Sequence, residues 1–199
     1  VWSTSKITFR VISDANNAGT VSNTATISYP VVNTGIASTQ TTDSNTVIVS
    51  ILLFNPILTA VKSVSNITSG ANPATTANVG DILKYTIVVS NTGNGISNNS
   101  LFADAIPVST TYVPNSTTIN GNPIADVAGN MPFATPATIN SPTELPGIII
   151  VGSTSTITVK VIVAANNAGT VSNTATISDP VLNTGIPSTH TTDSNTVII

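Results

Sequence analysis

The sequence predicts an all-β fold built as antiparallel sandwiches in tandem, and three observations support that prediction. The apolar residues are mainly Val and Ile, and Thr is abundant among the polar ones. All three are β-branched and fit a pleated, half-buried surface. Several short segments alternate apolar and polar residues, with turn residues between them. One long stretch of the chain also occurs twice. No window shows a sustained helical period with capping residues, so helices are not expected.

The repeated stretch determines the predicted domain organisation. Residues 3–48 align with residues 153–198, and 37 of these 46 positions are identical. Such a long internal period indicates tandem repeats of one structural unit. We therefore interpret residues 1–54 as the C-terminal third of a preceding repeat and residues 55–199 as one complete repeat. Asn55–Pro56 supplies turn residues at the boundary.

In the first part of the chain, residues 3–13 alternate apolar and polar side chains, and the segment that ends at Ser28 does the same. This pattern predicts a β-hairpin over residues 5–28. Its turn would lie at Asn16–Gly19, which has suitable turn residues. A polar stretch then leads into a further predicted strand, Thr46–Leu53.

Strands in the complete repeat follow from the same alternation. They are predicted, in order, over residues 57–65, 82–90, 96–106, 110–119, 147–151, 155–164, 170–178 and 196–199. Asn120–Gly121 is a favoured hairpin turn dipeptide, and residues 128–146 form the least regular loop. About seven to nine short strands separated by turns are typical of an immunoglobulin-like antiparallel β-sandwich, with a barrel as the alternative.

Composition and charge exclude several classes of function. The chain is 7% charged with only five Lys and Arg residues, so we expect no nucleic acid binding. It has no cysteine for disulfides or thiolate metal sites, and the single histidine, His190, excludes a catalytic triad or a histidine zinc site within one chain. The longest apolar run, residues 47–58, is too short to span a bilayer, so no membrane insertion is expected of this segment. We expect neither a cofactor nor enzymatic activity.

Four motifs occur in the order and spacing of a known family. They are GDILKYTIVVSNTG at 80–93, ADAIP at 103–107, TYVPNS at 111–116 and VSNTATI at 171–177. Together they resemble the immunoglobulin-like repeats called domain of unknown function eleven, which occur in bacterial and archaeal surface proteins. The resemblance covers residues 57–180, whereas residues 128–146 and 181–199 extend beyond the family pattern. It implies an extracellular, repetitive, structural role at a prokaryotic cell surface or on a surface appendage.

Three polar residues lie where the strand pattern predicts the core. Lys62, Asp104 and Asn173 each share a strand face with apolar residues, and burial without partners would be costly. A lysine on the first strand, an asparagine on a late strand and an acid between them resemble the crosslinking triad of Gram-positive pilin and adhesin domains. There the lysine amine attacks the asparagine amide, ammonia leaves, and an isopeptide bond forms.

Burial would favour a neutral, nucleophilic lysine and a protonated acid that shuttles protons. The bond would tie the first strand to a late strand, much as a disulfide would. In the structural alternative, Lys62 extends to solvent, Asp104 belongs to the turn that follows it, and Asn173 caps an irregular backbone feature. Asn23 occupies the equivalent place in the first part of the chain, but its lysine would precede residue 1, so no bond is predicted there.

The sequence therefore predicts a non-enzymatic structural repeat of a long surface protein, acting as a stalk or filament building block. Its partners would be neighbouring repeats of the same or identical chains, and residues 1–50 would be completed by strand complementation. The alternative is an adhesin module that binds a host protein or glycan through loop 128–146. Asp43 and Asp193 supply one carboxylate each to a duplicated TTDSNT motif. That is too few for calcium, so an Asx turn is favoured and no metal site is predicted.

Overall fold

The computed structural model describes residues 4–11, 19–33, 35–51, 54–164, 169–181 and 188–199. These residues form sixteen β-strands, all paired antiparallel, which confirms the all-β prediction. Since these ranges contain no helix, they hold none that could cross a membrane. The described chain divides into two compact units. The first ends at Ile51, and the second comprises residues 54–181 and 188–199.

The first unit contains two separate two-stranded ribbons. Strands β1 (Gly19–Asn23) and β4 (Val47–Ile51) form one ribbon, and β2 (Thr26–Asn33) and β3 (Ile36–Asp43) form the other. Residues 4–11 lie outside the strands, and the predicted turn lies outside the described residues. The predicted hairpin over residues 5–28 is therefore wrong, because β1 and β2 pair with later strands.

The second unit contains twelve strands. In chain order they are β5 (Leu58–Asn66), β6 (Ile82–Asn91), β7 (Leu101–Asp104), β8 (Thr110–Tyr112), β9 (Thr118–Ile119), β10 (Asn122–Pro123), β11 (Ala137–Thr138), β12 (Thr154–Val163), β13 (Ser172–Asn173), β14 (Ala175–Val181), β15 (Ser188–Asp193) and β16 (Val197–Ile198). One sheet has the order β10-β9-β12-β6-β5, with β8 also paired to β12. The second sheet has the order β11-β7-β14-β15, and β13 pairs with β16.

The two sheets enclose one hydrophobic core, which makes this unit an immunoglobulin-like sandwich. The long strands β6 and β12 bury every second residue, as expected where one face of a strand meets a core. Strands β7 and β14 add residues from the opposite sheet. The largest fully buried apolar side chains are Tyr85, Phe102, Phe133, Leu83, Ile87, Ile139, Ile149, Ile157 and Ile177.

Two predicted connections have different outcomes. Asn120–Gly121 joins β9 to β10 with φ angles of 50° and 81°, so the predicted hairpin turn is confirmed. Residues 128–146, predicted as an irregular loop, instead contribute β11 and several buried core residues. Among these, Phe133 meets Phe102 edge to face with ring centroids 5.2 Å apart. The middle of this loop is therefore part of the sandwich.

The second unit begins with a tightly fitted chain segment at Phe54–Ile57. The carbonyl oxygen of Asn55 accepts hydrogen bonds from the backbone amides of Asn94, at 3.0 Å, and Gly95, at 3.1 Å. A Cβ atom on Gly93 would lie 2.2 Å from the same oxygen. Only glycine fits there, so the Asn-Thr-Gly-Asn-Gly turn is shaped to receive the chain that enters the sandwich.

Candidate crosslink site

The predicted triad comes from strands in different parts of the sandwich. Lys62 lies in the middle of β5, Asp104 is the last residue of β7, and Asn173 is the last residue of β13. Their burial follows from strand parity, since each side chain alternates with exposed or half-buried neighbours. Lys62 and Asp104 are each 2% exposed and Asn173 is 5% exposed. All three side chains thus point into the space between the layers.

The carboxyl group of Asp104 bridges the other two side chains. The Nζ atom of Lys62 lies 2.6 Å from each carboxyl oxygen of Asp104. The side chain of Asn173 also hydrogen-bonds to Asp104. The alternative in which Lys62 extends to solvent is therefore wrong, because both its stem and its amine are buried. Amine, acid and amide form one connected group.

Electrostatics at this group follow from its burial. Desolvation lowers the pKa of Lys62, and the attraction of Asp104 opposes that shift only in part. Desolvation likewise raises the pKa of Asp104, against the opposing effects of Lys62 and Asn173. Both shifts favour the neutral forms, an amine beside a carboxylic acid. In those forms the amine nitrogen has a free electron pair and the acid carries a proton.

Tyr85 forms the apolar floor of the site. The Nζ atom of Lys62 lies 5.2 Å from the centre of the Tyr85 ring. Burial, together with the nearby charge of Asp104, raises the pKa of Tyr85 to about 12. Its hydroxyl has no hydrogen-bond partner among the described residues. Tyr85 therefore stays neutral. Its ring excludes water from one side of the Lys62 amine, which adds to the desolvation of the triad.

Asn195 fixes the backbone of Lys62 against the C-terminal strands. Its Oδ1 accepts a hydrogen bond from the backbone N–H of Lys62 at 2.7 Å. Its Nδ2 donates to the backbone carbonyl of Lys62 at 2.9 Å. This pair of bonds holds the residue that carries the amine. Asn195 is not among the residues predicted for the site, although it belongs to the duplicated TTDSNT motif.

The arrangement provides the parts for amide exchange between side chains. Attack of the Lys62 amine on the side-chain carbonyl carbon of Asn173 would form a C–N bond and break the bond to the amide nitrogen. The carboxyl group of Asp104 can take the proton from the amine and deliver it to the leaving nitrogen, which departs as ammonia. Both transfers are short, because Asp104 contacts both reactants.

The remaining candidates are occupied by local contacts. Asp193 accepts a hydrogen bond from the Thr176 hydroxyl at 2.7 Å, and Asp43 accepts one from Thr26 at 2.6 Å. No group of three His, Cys, Asp or Glu residues within the described ranges could hold a metal ion. The side chain of His190 is 58% exposed, with Nδ1 3.8 Å from Asp179.

Comparisons with known proteins give similarity in structure only, at low sequence identity. No family model matches the chain and no curated protein matches it, so the resemblance to the domain-of-unknown-function-eleven repeats stays a prediction. Among solved structures, domains D2 and D3 of the major pilin SpaD from Corynebacterium diphtheriae have a TM-score of 0.43 and 14% identity, with 70% of this chain and 51% of that chain covered.

Two streptococcal antigen I/II proteins give comparable matches. The C-terminal domain of the Streptococcus agalactiae antigen I/II polypeptide BspA has a TM-score of 0.40 and 14% identity, with coverage of 89% of this chain and 58% of that one. The C-terminal domain of the Streptococcus pyogenes antigen I/II-family protein AspA has a TM-score of 0.38 and 17% identity, with coverage of 88% and 54%. The chain thus spans about half the length of these structures.

Proposed function

We propose that this chain is a non-enzymatic structural segment of an extracellular prokaryotic surface protein, in which a Lys62–Asn173 isopeptide bond reinforces the complete repeat. The buried contact of Lys62, Asp104 and Asn173 carries the proposal. Removing a lysine and an acid from water together costs free energy that their mutual attraction offsets only in part. Forming the bond would replace the titratable amine by a neutral amide, with the acid acting as proton carrier.

The position of the bond suits a stalk or filament. Lys62 lies on the first strand of the unit and Asn173 lies in the ribbon formed by β13 and the last strand, β16, so tension applied at the ends of the unit would pass through the bond. The strands between Lys62 and Asn173 would then carry less of this tension. The bond would also close a loop of about 110 residues, worth on the order of 4–5 kcal/mol by the chain-entropy argument used for disulfides. A chain without cysteine would thus gain a covalent staple.

The partners we propose are neighbouring repeats of the same or identical chains. The support for this proposal is the site geometry and the internal repeat of residues 3–48 and 153–198. We favour an adhesive role through residues 128–146 less, because Met131, Phe133 and Ile139 commit the middle of that loop to the core. The buried residues divide the exposed part of the loop into short segments, chiefly 128–130, 134–136 and 142–146.

The intact mass of the denatured chain tests the proposal. We expect a mass lower than the sequence mass by one ammonia, and we expect Lys62→Ala to abolish that deficit. Lys84→Ala is the matched control, because Lys84 also lies in a long strand of the same sheet but points away from the core. It should keep the deficit. A wild-type chain with its full sequence mass would show that the triad is a buried ion pair without a bond.

A further inference from the structure

Two asparagines of the C-terminal strands approach Lys62 in different ways. Asn173, the last residue of β13, reaches Asp104 with its side chain. Asn195 lies two residues before Val197, the residue opposite Asn173 in the β13–β16 ribbon, and its side chain binds the backbone of Lys62. Two chemically identical amides therefore lie close to the residue that carries the amine. Their different contacts give them different roles.

Asn195 binds the free edge of the strand that carries the amine. Strand β5 lies at the end of its sheet and pairs with β6, so the buried backbone groups on its other edge need partners elsewhere. At Lys62 these partners are Oδ1 and Nδ2 of Asn195, at 2.7 and 2.9 Å. A side-chain amide carries the same donor and acceptor as a peptide group. The contact is therefore equivalent to one rung of an antiparallel ladder.

This rung connects the strand of the amine to the ribbon of the acceptor. The Lys62 amine stands at the end of a flexible four-carbon stem, so the position of its backbone determines where the amine can reach. Leu58 and Val64 lie on the same face of β5 and pack in the core, but apolar contacts are not directional. The two hydrogen bonds from Asn195 are directional. They fix the register of β5 against the β13–β16 ribbon.

Asn195 itself is poorly suited as an acceptor. Its carbonyl oxygen and its amide nitrogen both bind the Lys62 backbone, so attack at its carbonyl carbon would disrupt both hydrogen bonds. Asp104, the acid that can protonate the leaving nitrogen, hydrogen-bonds to Asn173. Asn173 therefore remains the acceptor, and Asn195 holds the geometry.

We propose that Asn195 is a positioning residue for the crosslink, which sets β5 in register with the β13–β16 ribbon and so brings the Lys62 amine to Asn173. Asn195 takes no part in the bonds that change. Lys62 Nζ joins the side-chain carbonyl carbon of Asn173, and ammonia leaves with the proton carried by Asp104. This inference rests on the proposed crosslink, since it concerns the same amine and amide. It implies that the bond closes only after the C-terminal strands have docked.

The pH dependence of crosslinking separates positioning from exclusion of water. Among the described residues, Asp104 and Tyr85 are the titratable side chains that face the amine. Exchange needs a neutral amine and a protonated acid, so its rate should pass through a maximum as pH changes. A residue that only positions the amine changes the height of this maximum. A residue that keeps water from the amine changes the pKa of Lys62 and therefore moves the maximum to another pH.

The rate of ammonia loss in the full chain tests the proposal. A short pulse of cell-free synthesis, followed by intact mass spectrometry during a chase, gives this rate, which is counted per folded chain by protease resistance at the same times. We expect Asn195→Ala to lower the maximal rate by about tenfold or more without moving the optimum pH, because small displacements of a reacting group are costly. Thr174→Ala is the matched control. It removes an exposed hydroxyl contact with Thr196 beside the same ribbon, at 2.7 Å, and should keep the wild-type rate.

A second variant guards against misfolding. Asn195→Asp keeps the acceptor for the Lys62 N–H and loses the donor to the Lys62 carbonyl. Its maximal rate, taken at its own optimum pH, should therefore lie below that of the wild type. If the wild-type chain loses ammonia and the folded variants match its rate, the positioning role is wrong and the crosslink stands. A shifted optimum with unchanged height in Asn195→Ala would also overturn the positioning role, in favour of water exclusion.

Two further results bear on the proposed function itself. A mass deficit that survives Asn173→Ala but is lost in Asn195→Ala would make Asn195 the acceptor, and it would overturn both assignments. If the wild-type chain keeps its full mass, the crosslink and the positioning role fail together.

Discussion

Residues 19–51 and residues 169–199 have nearly the same sequence and the same strand registers, but their surroundings differ. Ile27 is 67% exposed, whereas the corresponding Ile177 is 1% exposed. The ribbons therefore follow from local sequence, through alternation and short turns. Burial depends on the strands that residues 58–163 contribute.

The comparison also separates two sources of stability. Hydroxyl contacts between ribbons are present in both units: Thr24 meets Thr46 at 2.6 Å and Thr174 meets Thr196 at 2.7 Å. Exposed hydrogen bonds of this kind have a small net effect, about 1 kcal/mol or less each. Complete burial of a Val or Ile side chain contributes about 1.5–3 kcal/mol. Most of the stability of the second unit therefore comes from the apolar side chains that are buried between the ribbons and the strands of residues 58–163.

The largest expected difference concerns the paired asparagines. Asn173→Ala would remove the proposed bond and leave Asp104 without its amide partner, so we expect a loss of about 4–5 kcal/mol in the free energy of unfolding. Asn23→Ala should change it by no more than about 0.5 kcal/mol, because Asn23 is exposed in the single chain. Urea unfolding at low protein concentration measures both. Equal effects at the two positions would contradict the assignment of the bond to the second unit.

A smaller difference is expected for the paired isoleucines. Ile177→Ala removes buried methyl groups from the core beside Phe102, at a cost of about 2–5 kcal/mol. Ile27→Ala should cost about 0.5 kcal/mol or less, since its side chain already contacts solvent. The midpoint of urea unfolding reports the two costs. A large effect of Ile27→Ala in a dilute monomer would mean that the side chain of Ile27 is covered in solution.

The alternating pattern predicted strands well where one face is buried and poorly where both faces are exposed. Strands β5, β6 and β12 lie within one or two residues of their predicted positions, because each carries apolar residues at every second position along most of its buried face. Strands β3 and β15 were missed, because their segments, IASTQTTD and STHTTD, are largely polar and exposed. Their pairing depends on the neighbouring strand, which a local pattern does not reveal.

Parity also predicted the burial of Lys62, Asp104 and Asn173, since each breaks an apolar strand face. Alternation tells which face a side chain occupies, but it carries no information on distance between strands. The 2.6 Å contact of Lys62 with Asp104 thus required the structure. Asn195 was missed for a different reason, because it lies outside any alternating segment and acts through the backbone of Lys62.

The smallest difference concerns pH and the cross-strand pairs at Asp179–His190 and Tyr29–Gln40. Burial raises the pKa of Asp179, and the attraction of His190 and a hydrogen bond from Ser97 offset this only in part. The native state therefore holds the Asp179 proton more tightly than the unfolded chain does. Stability from this residue is greatest at a pH below the ordinary carboxyl pKa of 3.8, and it falls as pH rises through the raised pKa.

Asp179→Asn should accordingly stabilise the chain near neutral pH, because a neutral amide replaces a desolvated carboxylate. The gain should shrink as pH falls towards the ordinary carboxyl pKa, where Asp179 itself is protonated. Other buried acids, such as Asp104, are present in both chains, so the difference in urea midpoint between variant and wild type isolates Asp179. Tyr29→Phe, at the corresponding position of the first unit, should not change the urea midpoint in a pH-dependent way between neutral pH and the ordinary carboxyl pKa. A gain from Asp179→Asn that stays constant with pH would show that packing, and not ionisation, distinguishes the two positions.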